Sequence, residues 1–174
     1  IHDFNYTEKI YNQDFSENLL EIIEIDNNYK INSASIAQVY KGIIKETGEV
    51  VAIKVCHPDL DYQFIYPYFY YRIYLYLSSN LKCFNKYVLP FDMSGFFNNF
   101  FKQIDMNNED INLEYFYNEY INNPLVLIPK PIKSSKNILI MKYIEGENFE
   151  SFKDAQYMQN KFILLVNLFV RNNI

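Results

Sequence analysis

The chain has 174 residues, of which 49% are hydrophobic, and a formal net charge of −5. This hydrophobic content argues against a disordered chain, and the length suffices for one domain or lobe with its own core. The acidic balance and the lack of a basic stripe argue against a nucleic-acid partner.

The residues that usually hold metals are sparse. Cys56 and Cys83 are isolated, and only His2 and His57 add imidazole groups. These spacings match neither a metal site nor a disulfide framework, so we expect no protein metal site here and a reducing or indifferent compartment.

Because the chain starts without methionine and stops directly after an apolar helical pattern, we expect a piece of a longer protein, with any targeting segment upstream.

The first 31 residues give weak signals. Residues 1–12 are polar and are predicted to be irregular. Residues 14–20 resemble a short capped helix with acidic residues in its first turn. Residues 21–31 alternate loosely and are predicted to form the first strand of a twisted antiparallel sheet.

A loop of small residues and a hairpin follow. Residues 36–44 are rich in β-branched and aromatic side chains, which indicates a strand. Residues 46–49 form the predicted turn, with Gly48 at a left-handed position. Residues 51–54, VAIK, then place a lysine inside an apolar strand, where its burial is costly unless an anion meets the ammonium.

This tetrapeptide is identical to the lysine strand of protein kinases, in which the anion is a nucleotide phosphate and an acidic helix residue is the second partner. A kinase would place a glycine-rich loop upstream, ending in a valine such as Val39. Asn32, Ala34 and Ala37 occupy the glycine positions here, so the loop should be stiffer. The alternative is an edge strand whose Lys54 points to water.

The region after the lysine strand is rich in tyrosine. His57-Pro58 should end the strand, because proline cannot donate to the ladder, and His57 is more simply a turn residue than a catalytic one. Residues 64–81 are predicted to be one or two inserted helices packed on the lobe. Pro67 and Arg72 interrupt the apolar run, which is shorter than the ~20 residues of a membrane span. A peripheral membrane face is the alternative.

Residues 94–120 are predicted to form one long helix. Apolar side chains recur there at helical spacing: Phe97, Phe100, Phe101, Ile104, Ile111 and Tyr115. On such a helix Asp105 and Glu109 share a face, whereas Gln103 and Asp105 point about 200° apart. The alternative is a solvated face.

The last third is predicted to contain two strands and two helices. Residues 125–132 and 138–141 indicate strands joined by the polar turn 134–137. Prolines 124, 129 and 131 favour extended, edge positions. Residues 148–154 and 158–170 are predicted to be helical.

Three motifs in order carry a family resemblance. SASIAQVYKG followed by VAIKVCHPDL, then QIDMNNEDINLEYF from Gln103, then ILIMKYIEG from Ile138, resemble the atypical kinase-like family called ABC1, UbiB or ADCK. Its members have an alanine-rich loop in place of the glycine-rich one. The resemblance implies an α+β fold: a protein-kinase-like small lobe, with a twisted antiparallel sheet and an αC-type helix, over residues 1–142. Helices would be inserted at about 60–90, and residues 143–174 would be the hinge and first helices of the large lobe.

The resemblance also implies site residues. Lys54 would meet the α- and β-phosphates of ATP or ADP, with magnesium ligands beyond residue 174. The phosphates would be covered by Ser33, Ala34, Ser35, Ile36 and Ala37, the site lined by Val39 and Ala52, and the adenine held by the backbone of Met141, Lys142 and Tyr143. The helix motif is Gln103, Asp105, Glu109 and Asn112, in which a glutamate can pair with the strand lysine and Gln103 replaces the family's first acid.

The implied activity is an ATPase or phosphotransferase, linked by resemblance to ubiquinone and lipid metabolism in mitochondria or another organelle. The alternative is a non-catalytic pseudokinase or adaptor that binds nucleotide, lipid or a protein. A third hypothesis is a membrane-surface protein that uses the tyrosine-rich insert.

Overall fold

The computed structural model describes residues 2–26, 32–80, 92–146, 159–164 and 166–167. The chain divides into two compact units, Ile1–Tyr143 and Ile144–Ile174. The first unit contains, in order, α1 (Phe4–Phe15), α2 (Leu19–Ile22), β1 (Ile23–Ile25), β2 (Asn32–Ser33), β3 (Ala37–Ile44), β4 (Val50–Cys56), α3 (Leu60–Asn80), α4 (Met93–Gln103), α5 (Met106–Tyr120), β5 (Pro131–Ser134) and β6 (Ile138–Lys142).

In the second unit, residues 159–164 and 166–167 are helical, which agrees with the helix predicted over 158–170. The helix predicted over 148–154 lies outside the described residues. The assignment of this unit to the start of a large lobe stays a prediction.

The strands form one antiparallel sheet in the order β1-β3-β4-β6-β5, with β2 paired to β3. The lysine strand β4 lies in the interior, with Val39 of β3 on one side of Lys54 and Leu139 of β6 on the other. The α+β expectation is therefore confirmed, and the edge-strand alternative for Lys54 is wrong.

The two faces of the sheet bury different helices. Val51, Ile53 and Val55 of β4 pack with Tyr11 of α1 and Leu19 of α2 on one face. Because side chains alternate along a strand, Ala52, Lys54 and Cys56 point to the other face. There, Cys56 packs with Leu60 of α3 and with Ile104 and Met106 from the junction of α4 and α5. The sheet thus separates a structural core from the face that carries the lysine.

The prediction of an irregular start is wrong, because Phe4–Phe15 is a helix. Its buried residues are Thr7 and Tyr11, four apart, and polar neighbours obscure this narrow stripe in the sequence. The short helix predicted over 14–20 is divided: α1 ends at Phe15 and is followed by its C-cap Ser16 with φ 56°, and Asn18 caps α2 by accepting the Leu20 N–H. The strand predicted over 21–31 is limited to β1 where it is described, and residues 27–31 lie outside the described ranges.

The insert forms one described helix, α3, which contains Pro67. Phe64 lies 3.7 Å from Phe100, centroid to centroid, and Tyr68 contacts Phe97 at 5.4 Å, so one side packs on α4. The other side exposes large apolar residues: Tyr62, Ile65, Tyr66, Phe69, Tyr70, Ile73 and Tyr76. Among the described residues, none of the helices combines the length and the hydropathy that a membrane-spanning helix needs.

Two further predictions need correction. The single helix over 94–120 is broken at Ile104 and Asp105. The strand predicted over 125–132 begins only at Pro131. Leu125 is exposed in a turn, and Leu127 is exposed in the irregular backbone that follows it. The hairpin prediction is confirmed: Gly48 has φ 71°, and β4 ends directly before His57.

Candidate functional site

An ion pair joins the lysine strand to α5. Lys54 Nζ donates to Glu109 Oε1 at 2.6 Å and to Oε2 at 2.7 Å, although the residues are 55 positions apart. The Lys54 side chain is 21% exposed and that of Glu109 is 37% exposed. The pair is thus partly shielded from water and partly accessible to it.

The break between α4 and α5 places Glu109. Asp105 caps α5, and its Oδ1 accepts the Asn107 N–H at 3.0 Å. The Met106 N–H donates to the Lys136 carbonyl at 2.9 Å, which ties the start of α5 to the β5–β6 turn. Glu109 lies in the first turn, where the helix dipole stabilises a carboxylate.

Buried contacts hold this junction against the sheet. Ile104 is 4% exposed and Met106 is fully buried. The Cys56 thiol donates to the Ile104 carbonyl at 3.4 Å, and burial raises the pKa of Cys56 to about 11, so the group stays neutral at physiological pH. Ser134 Oγ, on β5, donates to Asp110 Oδ2 at 2.7 Å.

The sheet brings most of the sequence-predicted strand residues together. Val39 lies opposite Lys54, and Ala52 lies opposite Met141. Directly opposed residues of antiparallel strands share a face, so these four side chains lie on the face that carries the ion pair.

The small-residue loop (residues 33–37) lies at the end of the sheet, where β2 meets β3. Ala37, opposite Cys56, is on the face of Lys54, whereas Ser33, opposite Gln38, is on the other face. The loop is closed by the Ala34 N–H, which donates to the Ala37 carbonyl at 2.8 Å. Ser33, Ala34 and Ser35 are exposed, and Ile36 is half-buried. A cleft of about 570 Å³ separates this loop from the helices. It is lined by Ile36, Lys102, Gln103, Asn108, Glu109, Ile111 and Asn112. The lining includes Glu109 but not Lys54, so the ion pair borders the cleft through its carboxylate.

A protein-family model for the ABC1 atypical kinase-like domain matches residues 2–172. The chain belongs to the ABC1 atypical kinase-like family. This confirms the resemblance seen in the three motifs, and it agrees with the α+β small lobe.

Three relatives illustrate the family. The chain is 28% identical over 165 residues to Protein ACTIVITY OF BC1 COMPLEX KINASE 1, chloroplastic, of Arabidopsis thaliana, with 88% of this chain and 24% of that protein covered. It is 30% identical to the probable serine/threonine-protein kinase abkD of Dictyostelium discoideum (83% and 21% covered). It is 24% identical to AarF domain-containing protein kinase 1 of Xenopus laevis (89% and 29% covered). The chain thus spans about a quarter of the length of these relatives.

A solved structure is similar in fold. The Mycobacterium tuberculosis protein Rv3197, determined in complex with erythromycin, matches with a TM-score of 0.62 at 20% identity. The match covers 86% of this chain and 37% of that one.

The residues of the helix motif in this ABC1 domain differ in position and in partner. Gln103 is exposed at the end of α4, Asp105 is used as a cap, and only Glu109 meets Lys54. The prediction that Asp105 and Glu109 share a helix face is therefore wrong, because Asp105 precedes the helix. Asn112 is exposed and lines the cleft with Gln103.

Two of the backbone N–H groups that were predicted to hold adenine are already hydrogen-bonded to other parts of the chain. The Lys142 N–H donates to the Lys130 carbonyl at 2.8 Å, and the Tyr143 N–H donates to the Val50 carbonyl at 2.9 Å. These two donors are therefore used within the fold. A role of residues 141–143 toward adenine stays a prediction.

Sequence reasoning missed the partners of the two histidines. His2 Nδ1 lies 2.9 Å from His57 Nδ1, although 55 residues separate them. No local pattern could reveal this contact, because it depends on how α1 packs beside the end of β4. Among the residues that the structure describes, no cluster of three or more His, Cys, Asp or Glu could hold a metal ion.

Proposed function

We propose that this ABC1 domain is the nucleotide-binding part of an atypical kinase-like protein. The full-length protein would bind ATP or ADP with magnesium and would hydrolyse ATP or transfer its phosphate. The observation that supports this best is the Lys54–Glu109 ion pair, which joins an interior strand to the first turn of α5 and whose Glu109 lines a cleft.

The charge arrangement suits a phosphate. An ammonium has three N–H donors, and Glu109 accepts two hydrogen bonds from Lys54. A phosphate oxygen can accept the third. In kinases this pairing of strand lysine and helix glutamate must be formed for phosphoryl transfer, so a preformed pair favours an active arrangement.

The small-residue loop suits a close approach of phosphate to backbone. Ala34 carries only a methyl group and is exposed together with Ser33 and Ser35, whereas Ala37 is fully buried. Magnesium bound with the nucleotide would neutralise phosphate charge. We expect the protein ligands of that magnesium beyond residue 174.

The test is nucleotide binding by the full-length protein. Mg-ADP at about 100 times its Kd should stabilise the wild type by about 2.7 kcal/mol in a thermal shift. Lys54→Met should lose most of this stabilisation. Lys133→Met is the matched control, because Lys133 is also ion-paired, to Glu17 at 2.6 Å, but lies on the edge strand β5. Absence of a shift in the wild type would contradict the proposal.

A second candidate is a non-catalytic pseudokinase or adaptor. Gln103 favours it, because a neutral amide lines the cleft where the family pattern has an acid. Binding of Mg-ATP without ATP turnover or phosphate transfer by the full-length protein would support this candidate.

The cellular setting is proposed from the relatives. The Arabidopsis relative is described as chloroplastic. We expect this protein also in an organelle, a mitochondrion or another, where it would support ubiquinone or lipid metabolism. Fractionation of cells that express the tagged full-length protein tests the first point, and a purely cytosolic signal would contradict it.

A further inference from the structure

Two histidines join the N-terminal segment to the end of the lysine strand. His2 Nδ1 and His57 Nδ1 are 2.9 Å apart, and the rings meet edge to face at 79°. Only one proton fits between two nitrogens at this distance. The contact therefore needs one ring to donate and the other to accept, and two fully protonated rings would break it.

The far side of His57 contacts the small-residue loop. His57 Nε2 lies 2.9 Å from the Ala34 carbonyl and 3.3 Å from Ser33 Oγ. Because a carbonyl only accepts, Nε2 must carry the proton. The backbone N–H of the same residue donates to the Ile36 carbonyl at 2.9 Å. His57 thus holds the loop at two carbonyls.

The His2 ring is itself fixed by a polar network. Its Nε2 lies 3.0 Å from the Thr7 hydroxyl, and that hydroxyl donates to the Tyr40 hydroxyl at 3.0 Å. Gln38 donates to Tyr40 at 2.5 Å and also accepts the His2 backbone N–H at 3.1 Å. Thr7 and Gln38 are buried, and buried polar groups are costly unless they are paired. The network therefore favours one orientation of His2.

We propose that His57, oriented by His2, is a positioning residue that presets the small-residue loop for a nucleotide phosphate. The nucleotide part of this inference rests on the proposed function above, and the loop part does not. The chain of contacts runs from α1 and β3 through the two rings to Ala34, so the N-terminal segment helps to set the geometry of the loop. In this proposal His57 acts on the phosphate only through its contacts with the loop.

The test compares three variants of the full-length protein. His57→Ala removes the ring. His57→Gln keeps an amide N–H at the position of Nε2, so it can still donate to the Ala34 carbonyl. Ile23→Ala is the stability control, because it opens a cavity in the core of the opposite sheet face and leaves the loop contacts in place.

Two readouts separate the loop from the nucleotide. Amide hydrogen exchange of a peptide covering residues 32–38 is measured without ligand, and the Kd for Mg-ADP is measured by calorimetry. Loss of a hydrogen bond to a backbone carbonyl should accelerate loop exchange about five- to tenfold and weaken Mg-ADP by a similar factor in His57→Ala. His57→Gln should recover most of both effects, and Ile23→Ala should show neither.

The positioning role would be overturned if the loop of His57→Ala exchanged its amide hydrogens at the wild-type rate. It would also be overturned if Ile23→Ala accelerated loop exchange as much as His57→Ala does. Faster loop exchange in a protein whose wild type does not bind Mg-ADP would contradict the proposed function and leave the loop assignment standing. If His57→Ala does not fold, His2→Ala tests the same network, with about threefold faster loop exchange expected because the His57 ring loses its orienting partner. An unchanged loop in His2→Ala would then overturn the inference.

Discussion

Lys54 and Glu109 meet through both carboxylate oxygens, at 2.6 and 2.7 Å, with one residue in the interior of the sheet and the other in the first turn of α5. Either side chain is accessible to water in part. Such a pair contributes little to stability, so its value lies in the placement of the ammonium.

The ion pair should matter more for nucleotide binding than for folding. Glu109→Gln should lower the free energy of unfolding by only about 0.5–1 kcal/mol, because the pair is partly exposed. The same change should weaken Mg-ADP binding about tenfold, since the amide no longer orients the ammonium. Urea unfolding and calorimetry measure the two effects. A double-mutant cycle with Lys54→Met should show that the losses are not additive.

The helix cap at Asp105 should support the same geometry. Asp105→Ala removes the acceptor of the Asn107 N–H, which should cost about 1 kcal/mol of stability. Asp105→Asn should retain most of it, because asparagine also caps well. Thermal unfolding of both variants checks this, and equal losses in the two would show that the cap does not determine the stability.

Acid should weaken the fold through His2. Desolvation, followed by the charge of His57, lowers the pKa of His2 to about 4, against 6.5 in an unfolded chain. The unfolded state therefore binds more protons between these values, so stability is complete above pH 6.5 and falls as the pH drops toward 4. Between pH 7.5 and pH 5 the free energy of unfolding should fall by about 1 kcal/mol, a value that is discounted because His2 is partly exposed.

The control for this pH effect is His2→Gln, which cannot titrate. Its stability curve should lack the His2 part of the slope between pH 6.5 and 5. Equal slopes in the variant and the wild type, measured by urea unfolding at each pH, would refute the assignment to His2.

Cys56 should be unreactive in the folded protein. Its pKa is raised to about 11 by burial, so almost no thiolate exists at pH 8. In a Cys83→Ser background, iodoacetamide should alkylate Cys56 only at the rate at which the protein opens. Mass spectrometry follows the reaction, with urea-unfolded protein as the reactive control. Rapid modification of the native protein would show that the β4–α4 contact is open.

The sequence predicted the β3–β4 hairpin well, because β-branched alternation and Gly48 are local signals. The predictions failed where contacts between residues far apart in the sequence determine the secondary structure. The apolar spacing of a helix continues through Ile104, so no local pattern shows that the chain breaks there to bury Ile104 and Met106 against Cys56. The helix α1 was missed for a related reason, since its stripe is short and includes a buried threonine.

The candidate site, too, could be predicted from the sequence only in part. Lys54 and the small-residue loop follow from motifs in one continuous stretch, and the family resemblance adds a helix glutamate. The helix break determines which acidic residue pairs with Lys54. Asp105 caps α5, and Glu109, one turn further along, is the residue that pairs. The contact between His2 and His57 has no sequence signal at all.

The most direct test of the central claim is labelling with an acyl-phosphate derivative of ATP, which transfers its acyl group to a lysine beside the phosphates. In the full-length protein, Lys54 should be the principal site of modification, and excess Mg-ATP should protect it. Lys133 should be modified without nucleotide protection. Unprotected modification of Lys54, or protection only at other lysines, would contradict a phosphate site at the Lys54–Glu109 pair.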